Sequence, residues 1–292
     1  MCVENVVVTR DGVTLHGADP ANDGIQAEEN EEITDPAVWV RGAMPTTIEN
    51  LTLTGGFSGL LATNANVPEL RVTNCRLVGN NTFGVRFENS VAFVTDSILE
   101  GAAVFVGSRL TCNHCTFTVP PGSNIATLFI VNSLANINQQ STFAGGHIRS
   151  DGSFVNISDS NIGEPAPNVF SLVSSSSSVT LTRVQIDGRM VFNQGSSATL
   201  NAVTQGPFSG SAPNQASLGS HVVVGSAGQP TGGPPNINSS LRNFDLSNFS
   251  NLVLNQSSTI DGNLICRAGS DAFCANPASV IGATNCGQCP KP

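Results

Sequence analysis

Leu70-Arg71-Val72-Thr73-Asn74-Cys75-Arg76-Leu77-Val78-Gly79 reads apolar, any, apolar, any, polar, small, any, apolar, any, glycine. Alternation with period two marks a strand with one buried face, and it runs on both sides of the Asn-Cys step. Asparagine bonds readily to its own backbone and tolerates tight-turn dihedrals, so the step reads as a corner between two short strands. Neither strand is long enough to bury a core alone. The stretch therefore predicts a unit that needs further copies of itself.

Copies recur. Phe93-Val94-Thr95-Asp96-Ser97-Ile98-Leu99-Glu100-Gly101 repeats the pattern, Leu110 to Phe117 carries Cys115 in the small slot, and others end at Gly145, Gly163, Gly188 and Gly262. The small slots at 75, 97, 115, 141, 160 and 184 are separated by roughly 22, 18, 26, 19 and 24 residues, a mean of about 22 that fits the periods of repeat architectures. The polar slot before them holds Asn74, Asp96, His114, Gln140, Asp159 and Arg183, a column best explained as a structural corner. A second strand follows each marker. Its alternation places Val85, Phe87, Val104, Val106, Leu128, Ile130, Ile148, Phe170 and Leu172 inside. Stacked coils would fuse such faces into one core. The fold class expected is all-β: one right-handed parallel β-helix, a solenoid over residues 1–265, with a cysteine-rich cap over 266–292.

Composition agrees. Charged residues make up 11% of the 292, too few for the wet faces of amphipathic helices, while 39% hydrophobic content in alternation argues against disorder. The net charge of −9, with Lys291 as the only lysine, excludes a basic nucleic-acid or anionic-membrane surface. No run of about 20 apolar residues exists to span a bilayer. The start carries no basic-plus-apolar leader, and strand-like Val6-Val7-Val8 follows at once, as in a mature or trimmed chain. Two regions leave the repeat: an acidic loop at 19–36 and a Gly/Pro/Ser-rich excursion at 205–235.

Asp11-Gly12-Val13-Thr14-Leu15-His16-Gly17 and Ile48-Glu49-Asn50-Leu51-Thr52-Leu53-Thr54-Gly55 resemble the coils of pectin lyase-like β-helix proteins. The resemblance, of pattern and over residues 5–265, informs fold more than function. That superfamily includes polysaccharide lyases, polygalacturonases, pectin methylesterases, tailspikes and bacterial surface proteins. The resemblance implies contact with an extended polymer along an exposed strand face. Catalytic signatures are missing: there is no adjacent Asp pair, Gly145-Gly146-His147 runs into Ile148, and Val38-Trp39-Val40-Arg41 lacks the Asp-His of a lyase motif.

Outward positions of the second strand should form a column of Leu61, Arg86, Phe105, Phe129, Arg149, Ser171 and Val191. Of these, Arg86, Phe105, Phe129 and Arg149 are the binding candidates, rings for stacking and guanidinium groups for carboxylates. Cover by a loop, the C-terminal tail or a second subunit is the plainer explanation, since a one-residue slip inverts every side chain. His147, Arg149 and Asp151 form the best local catalytic cluster. The acidic loop (Asp23, Glu28, Glu29, Glu31, Glu32, Asp35) is the one place where Ca²⁺ would find oxygen ligands, but it lacks the alternating Asp/Asn/Gly pattern of a dedicated site, so no cofactor is expected.

Eight cysteines complete the inventory. The pairs Cys112/Cys115 and Cys286/Cys289 have zinc-like spacing, but a shared site is disfavoured by their separation along the solenoid. Cys75 and Cys115 read as small buried apolar residues. Cys266, Cys274, Cys286 and Cys289 read as a disulfide-pinned cap with three pairings open, which favours an oxidising compartment: secreted, periplasmic or cell-surface. The expected function is an exported β-helix protein binding polysaccharide or another extended polymer. A divergent carbohydrate-active lyase or hydrolase and an adhesive surface module are the alternatives.

Overall fold

The computed structural model describes residues 1–28, 35–120, 125–163, 170–206, 212–225, 239–255, 258–275, 279–287 and 289. Among them there is no helix, and the strand pairs with a defined register, such as Phe83–Glu88 with Ala102–Val106 and Phe154–Ile162 with Ser178–Ile186, are parallel. The chain divides into two compact units, Met1–Ile148 and Arg149–Pro292, described in turn.

In the first unit each coil adds strands that pair with those of the coil before, in the pattern of a solenoid. Thr46–Glu49, Leu70–Thr73, Val91–Thr95, Arg109–Asn113 and Leu134–Asn138 stack in register, so Ile48, Val72, Val94, Cys112 and Ile137 form one buried column. Past the corner, Leu53, Leu77, Leu99, Phe117 and Phe143 form the next. The Phe117 and Phe143 rings stack with centroids 4.7 Å apart and planes 4° from parallel. The remaining strands, Val6–Val8, Val38–Arg41, Ser58–Thr63, Phe83–Glu88, Ala102–Val106 and Ala126–Val131, form a second sheet. Its inner column runs Val8, Val40, Ala62, Phe87, Phe105, Ile130.

The corner expectation is met at every slot. Asn74, Asp96, His114, Gln140, Asp159 and Arg183 all have positive φ, between 49° and 61°. Asn and Asp enter this region at low cost. Histidine, glutamine and arginine do so less readily, so the coil geometry imposes the conformation there.

A second corner carries a device that repeat-matching did not pick out. Asn64, Asn89, Gly107 and Asn132 are left-handed, and each is followed by a small buried residue: Ala65, Ser90, Ser108, Ser133. The Ala65 N–H donates to Ser90 Oγ at 3.1 Å, Ser90 N–H to Ser108 Oγ at 3.1 Å, and Ser108 N–H to Ser133 Oγ at 2.9 Å. The hydroxyls in turn donate to carbonyls of their own and neighbouring coils. Each serine thus satisfies a buried corner N–H that no strand ladder reaches.

The second unit repeats both features. Phe154–Ile162 pairs with Ser178–Ile186, and Ser197–Asn201, His221–Val224, Asn251–Leu254 and Asp271–Cys274 follow in register. Its serine corner runs through Ser153, Ser177 and Ser196, and again through Ser220, Ser250 and Ser270. The Asp159 and Arg183 corners sit on adjacent coils, their side chains joined by two hydrogen bonds of 2.5 and 2.7 Å. Asp159 is thereby held below the usual carboxylate range.

Several sequence expectations are corrected. Phe105 does not point outward: it is fully buried, edge-to-face against Phe87 at 5.1 Å. The cause is a bulge at Gly84. Phe83 pairs with Ala102, but Val85 pairs with Ala103, so counting slips by one and Val104, not Phe105, takes the outward position. A Cβ at Gly84 would lie 2.7 Å from the Glu100 carbonyl oxygen, which reserves the bulge for glycine. Val106 accordingly moves from the expected interior to the outer face, opposite Glu88. A second bulge between Phe170 and Leu172 turns Ser171 into the interior, and Phe170 lies half-buried under Arg189, 4.6 Å from ring centroid to guanidinium. Finally, Cys115 is not a free small residue: it bonds to Cys112 across the His114 corner. Cys75 does remain free and buried, and burial pushes its thiol up to about 11.

Candidate functional site

The outer face of the second sheet in the first unit is the candidate. Register places Val7, Trp39, Leu61, Arg86, Val104 and Phe129 directly over one another, one per coil. At the ordinary strand spacing, Trp39 and Phe129 lie about 19 Å apart. Val7 is exposed, Trp39, Leu61, Arg86 and Phe129 are half-buried, and Val104 is nearly covered. The next outward column holds Arg41, Thr63, Glu88, Val106 and Val131.

These side chains fix one another. The Trp39 indole N–H donates to Thr63 Oγ1 at 3.1 Å, and the Arg41 guanidinium lies 5.3 Å from the centre of its ring. Arg86 donates to Glu88 from Nε at 2.7 Å and pairs through its terminal nitrogen at 2.6 Å. It also lies 5.7 Å from the Phe83 ring centre, and Phe83 meets Phe57 edge-to-face at 5.2 Å. Arg41 is exposed and makes no ion pair among the described residues. The result is a strip of preorganised rings and methyl groups with one charge-neutralised arginine and one available guanidinium. It can stack on the apolar faces of a ligand while pairing an anionic or hydroxyl group. Glu88 is the only carboxylate on these strands and is committed to Arg86. They therefore hold no carboxylate pair of the kind that glycoside hydrolysis uses.

Of the binding residues expected from sequence, Arg86 and Phe129 are on this face and Phe105 is not. Arg149 belongs to the second unit and is tied to Asp151, Nε to Oδ2 3.1 Å. His147, Arg149 and Asp151 all lie on the strand His147–Asp151, alternating with Ile148 and Ser150, which are fully buried. The strand thus puts all three on one side, as expected from period two, and the His147 carbonyl accepts from Thr127 Oγ1 at 3.2 Å. Trp39, Arg41 and Phe83 were missed. The alternation Val38-Trp39-Val40 is the sequence signal for an outward ring at Trp39.

Two carboxylates of the acidic loop are used within the loop itself. Asp23 accepts the N–H groups of Ala18 at 2.7 Å and Asp19 at 3.2 Å, which lowers its pKa, and Asp19 accepts from Ala21 and Asn22. Glu29, Glu31 and Glu32 lie outside the described residues. Among the described residues, no group of three or more His, Cys, Asp or Glu is placed to hold a metal, and no helix is long and apolar enough to cross a membrane. The four C-terminal cysteines pair as Cys266–Cys286 and Cys274–Cys289, one of the three arrangements left open by sequence. Three disulfides in one chain suit an oxidising compartment.

No family model, curated protein or solved structure matches the chain.

Proposed function

We propose that this is an exported, right-handed β-helix protein of the pectin lyase-like kind, which binds extended polymers, polysaccharide first among them, along the outer face of the second sheet in its first unit. The observation that carries the reading is the column itself: Trp39, Leu61, Arg86 and Phe129 occupy the same outward position on four coils, with Arg41 beside Trp39. Stacking of the coils gives the fold no reason to keep two aromatic rings on the outer face in that register, whereas a chain lying along the strip would meet a contact at Trp39, Leu61, Arg86 and Phe129. The three disulfides support export.

Trp39 is the only tryptophan, and the chain has no tyrosine, so intrinsic fluorescence reports on the site alone. Titration with soluble polysaccharides, one neutral and one uronate-containing, is expected to shift Trp39 emission for at least one polymer. In affinity electrophoresis, Trp39→Ala combined with Phe129→Ala should weaken retention about tenfold or more. Unchanged emission and retention across both polymers would sink the reading. Release of an unsaturated product would instead make the protein a lyase.

A further inference from the structure

The acidic residues of this chain are not spread evenly. The first unit, Met1–Ile148, holds fourteen Asp and Glu against six Arg, a net charge of −8 with histidine neutral. The second, Arg149–Pro292, holds seven Asp and Glu against six Arg and Lys. Nearly all of the net negative charge therefore lies in the unit that carries the aromatic strip. Some of it stands at the strip's edge. Asp35 is exposed three residues before Val38–Arg41, and its carbonyl accepts the Phe57 N–H at 3.0 Å, beside the ring that meets Phe83.

The strip itself carries no ladder of charges. Glu88 neutralises Arg86 at 2.6 Å, which leaves Arg41, 5.3 Å from the Trp39 ring centre, as the available guanidinium of its two outward columns. A polyuronate bears a carboxylate on every sugar. Laid along the roughly 19 Å from Trp39 to Phe129, it would set several of them against Arg41 alone. The others would lie in the field of a unit of net −8, which repels polyanions over a Debye length of about 10 Å at 0.1 M salt. An amino-sugar polymer is drawn to the unit but meets no free carboxylate on the strip and finds Arg41 there. An uncharged glycan meets neither obstacle: its C–H faces stack on the rings and its hydroxyls accept from Arg41. We infer that the strip selects neutral polysaccharides against polyuronates and polyglucosamines. This selectivity rests on the polymer-binding role proposed above for the strip and names the class of polymer it takes.

The test titrates the full chain, followed by Trp39 emission, with soluble neutral glucans (one α-linked, one β-linked), a polyuronate and a polyglucosamine. Each is run at mildly acidic pH in about 10 mM and about 1 M sodium chloride, where the Debye length is about 30 Å and about 3 Å. At low salt a neutral glucan is expected to bind about tenfold or more tightly than the polyuronate. Salt should move its half-saturation less than about twofold, while polyuronate binding tightens as the repulsion is screened. Glu88→Gln, which frees Arg86, should narrow the low-salt gap between the two about threefold. Equal or tighter binding of the polyuronate at low salt would overturn the selectivity and leave the strip a polymer site. So would polyglucosamine binding that is tighter than the neutral glucan's and lost at high salt. Unchanged emission with every polymer would overturn the binding role itself, and the selectivity with it.

Discussion

The second sheet has the same interior in both units but a different exterior. Inside, the first unit stacks Ala62, Phe87, Phe105 and Ile130, and the second stacks Phe192, Ala216, Leu246 and the neighbouring Met190 and Phe244, all buried. Outside, the first unit presents Trp39, Leu61, Arg86 and Phe129, whereas the second presents Val173, Val191, Gln215, Asp245 and Ile265. The Asp245 carboxylate is taken up by Arg267, both oxygens 3.2 Å from its Nε. Packing density constrains the inner face wherever coils stack. Nothing in the stacking constrains the outer one. The contrast teaches that the aromatic exterior of the first unit is not a by-product of making coils.

The largest effect should come from breaking the shared interior. Phe105→Ala is expected to cost about 3–5 kcal/mol in urea unfolding, the range for emptying a buried ring site. A cost below about 1 kcal/mol would return Phe105 to the surface and restore the register read from sequence. Next comes the serine corner. Ser108→Ala leaves the buried Ser90 N–H without an acceptor and should cost about 1–3 kcal/mol, with Ser250→Ala in the second unit comparable because it orphans the Ser220 N–H. A large effect in one unit only would show that the two corners are not equivalent.

Exterior changes sharpen the comparison from the other side. Trp39→Ala and Phe129→Ala should reduce polymer retention while shifting stability far less than Phe105→Ala, whereas Val173→Ala and Ile265→Ala should leave retention unchanged. Equal losses from both sets would remove the distinction between the faces. The smallest effect concerns the Asp159–Arg183 corner, where both side chains are well exposed. Asp159 has its folded pKa lowered, chiefly by the Arg183 hydrogen bonds, so its contribution is present above the unfolded value and lost as pH falls through the folded one. Arg183→Ala should therefore cost a few tenths to about 1 kcal/mol at neutral pH, after solvent screening, and nothing below the carboxylate range.

Much of the fold was legible because its signals are local. Period-two alternation marks strands, and Asn74 and Asp96 mark left-handed corners whatever surrounds them. The serine corner was legible too, as serines at 90, 108, 133, 153 and 177, but hydroxyls among so many others in this chain were not recognised as a column. What remained hidden depended on how one coil meets the next. A single extra residue at Gly84 reverses the facing of Phe105, and nothing local to Phe105 records it.

The residues alone thus determined that short strands would turn at polar corners and share a core with others like them, since backbone preference and hydrophobic period act within a few positions. Tertiary structure decided which side chains share a column, which cysteines meet and where the aromatic strip lies. Those outcomes depend on register between residues some twenty positions apart, where one bulge outweighs any local preference.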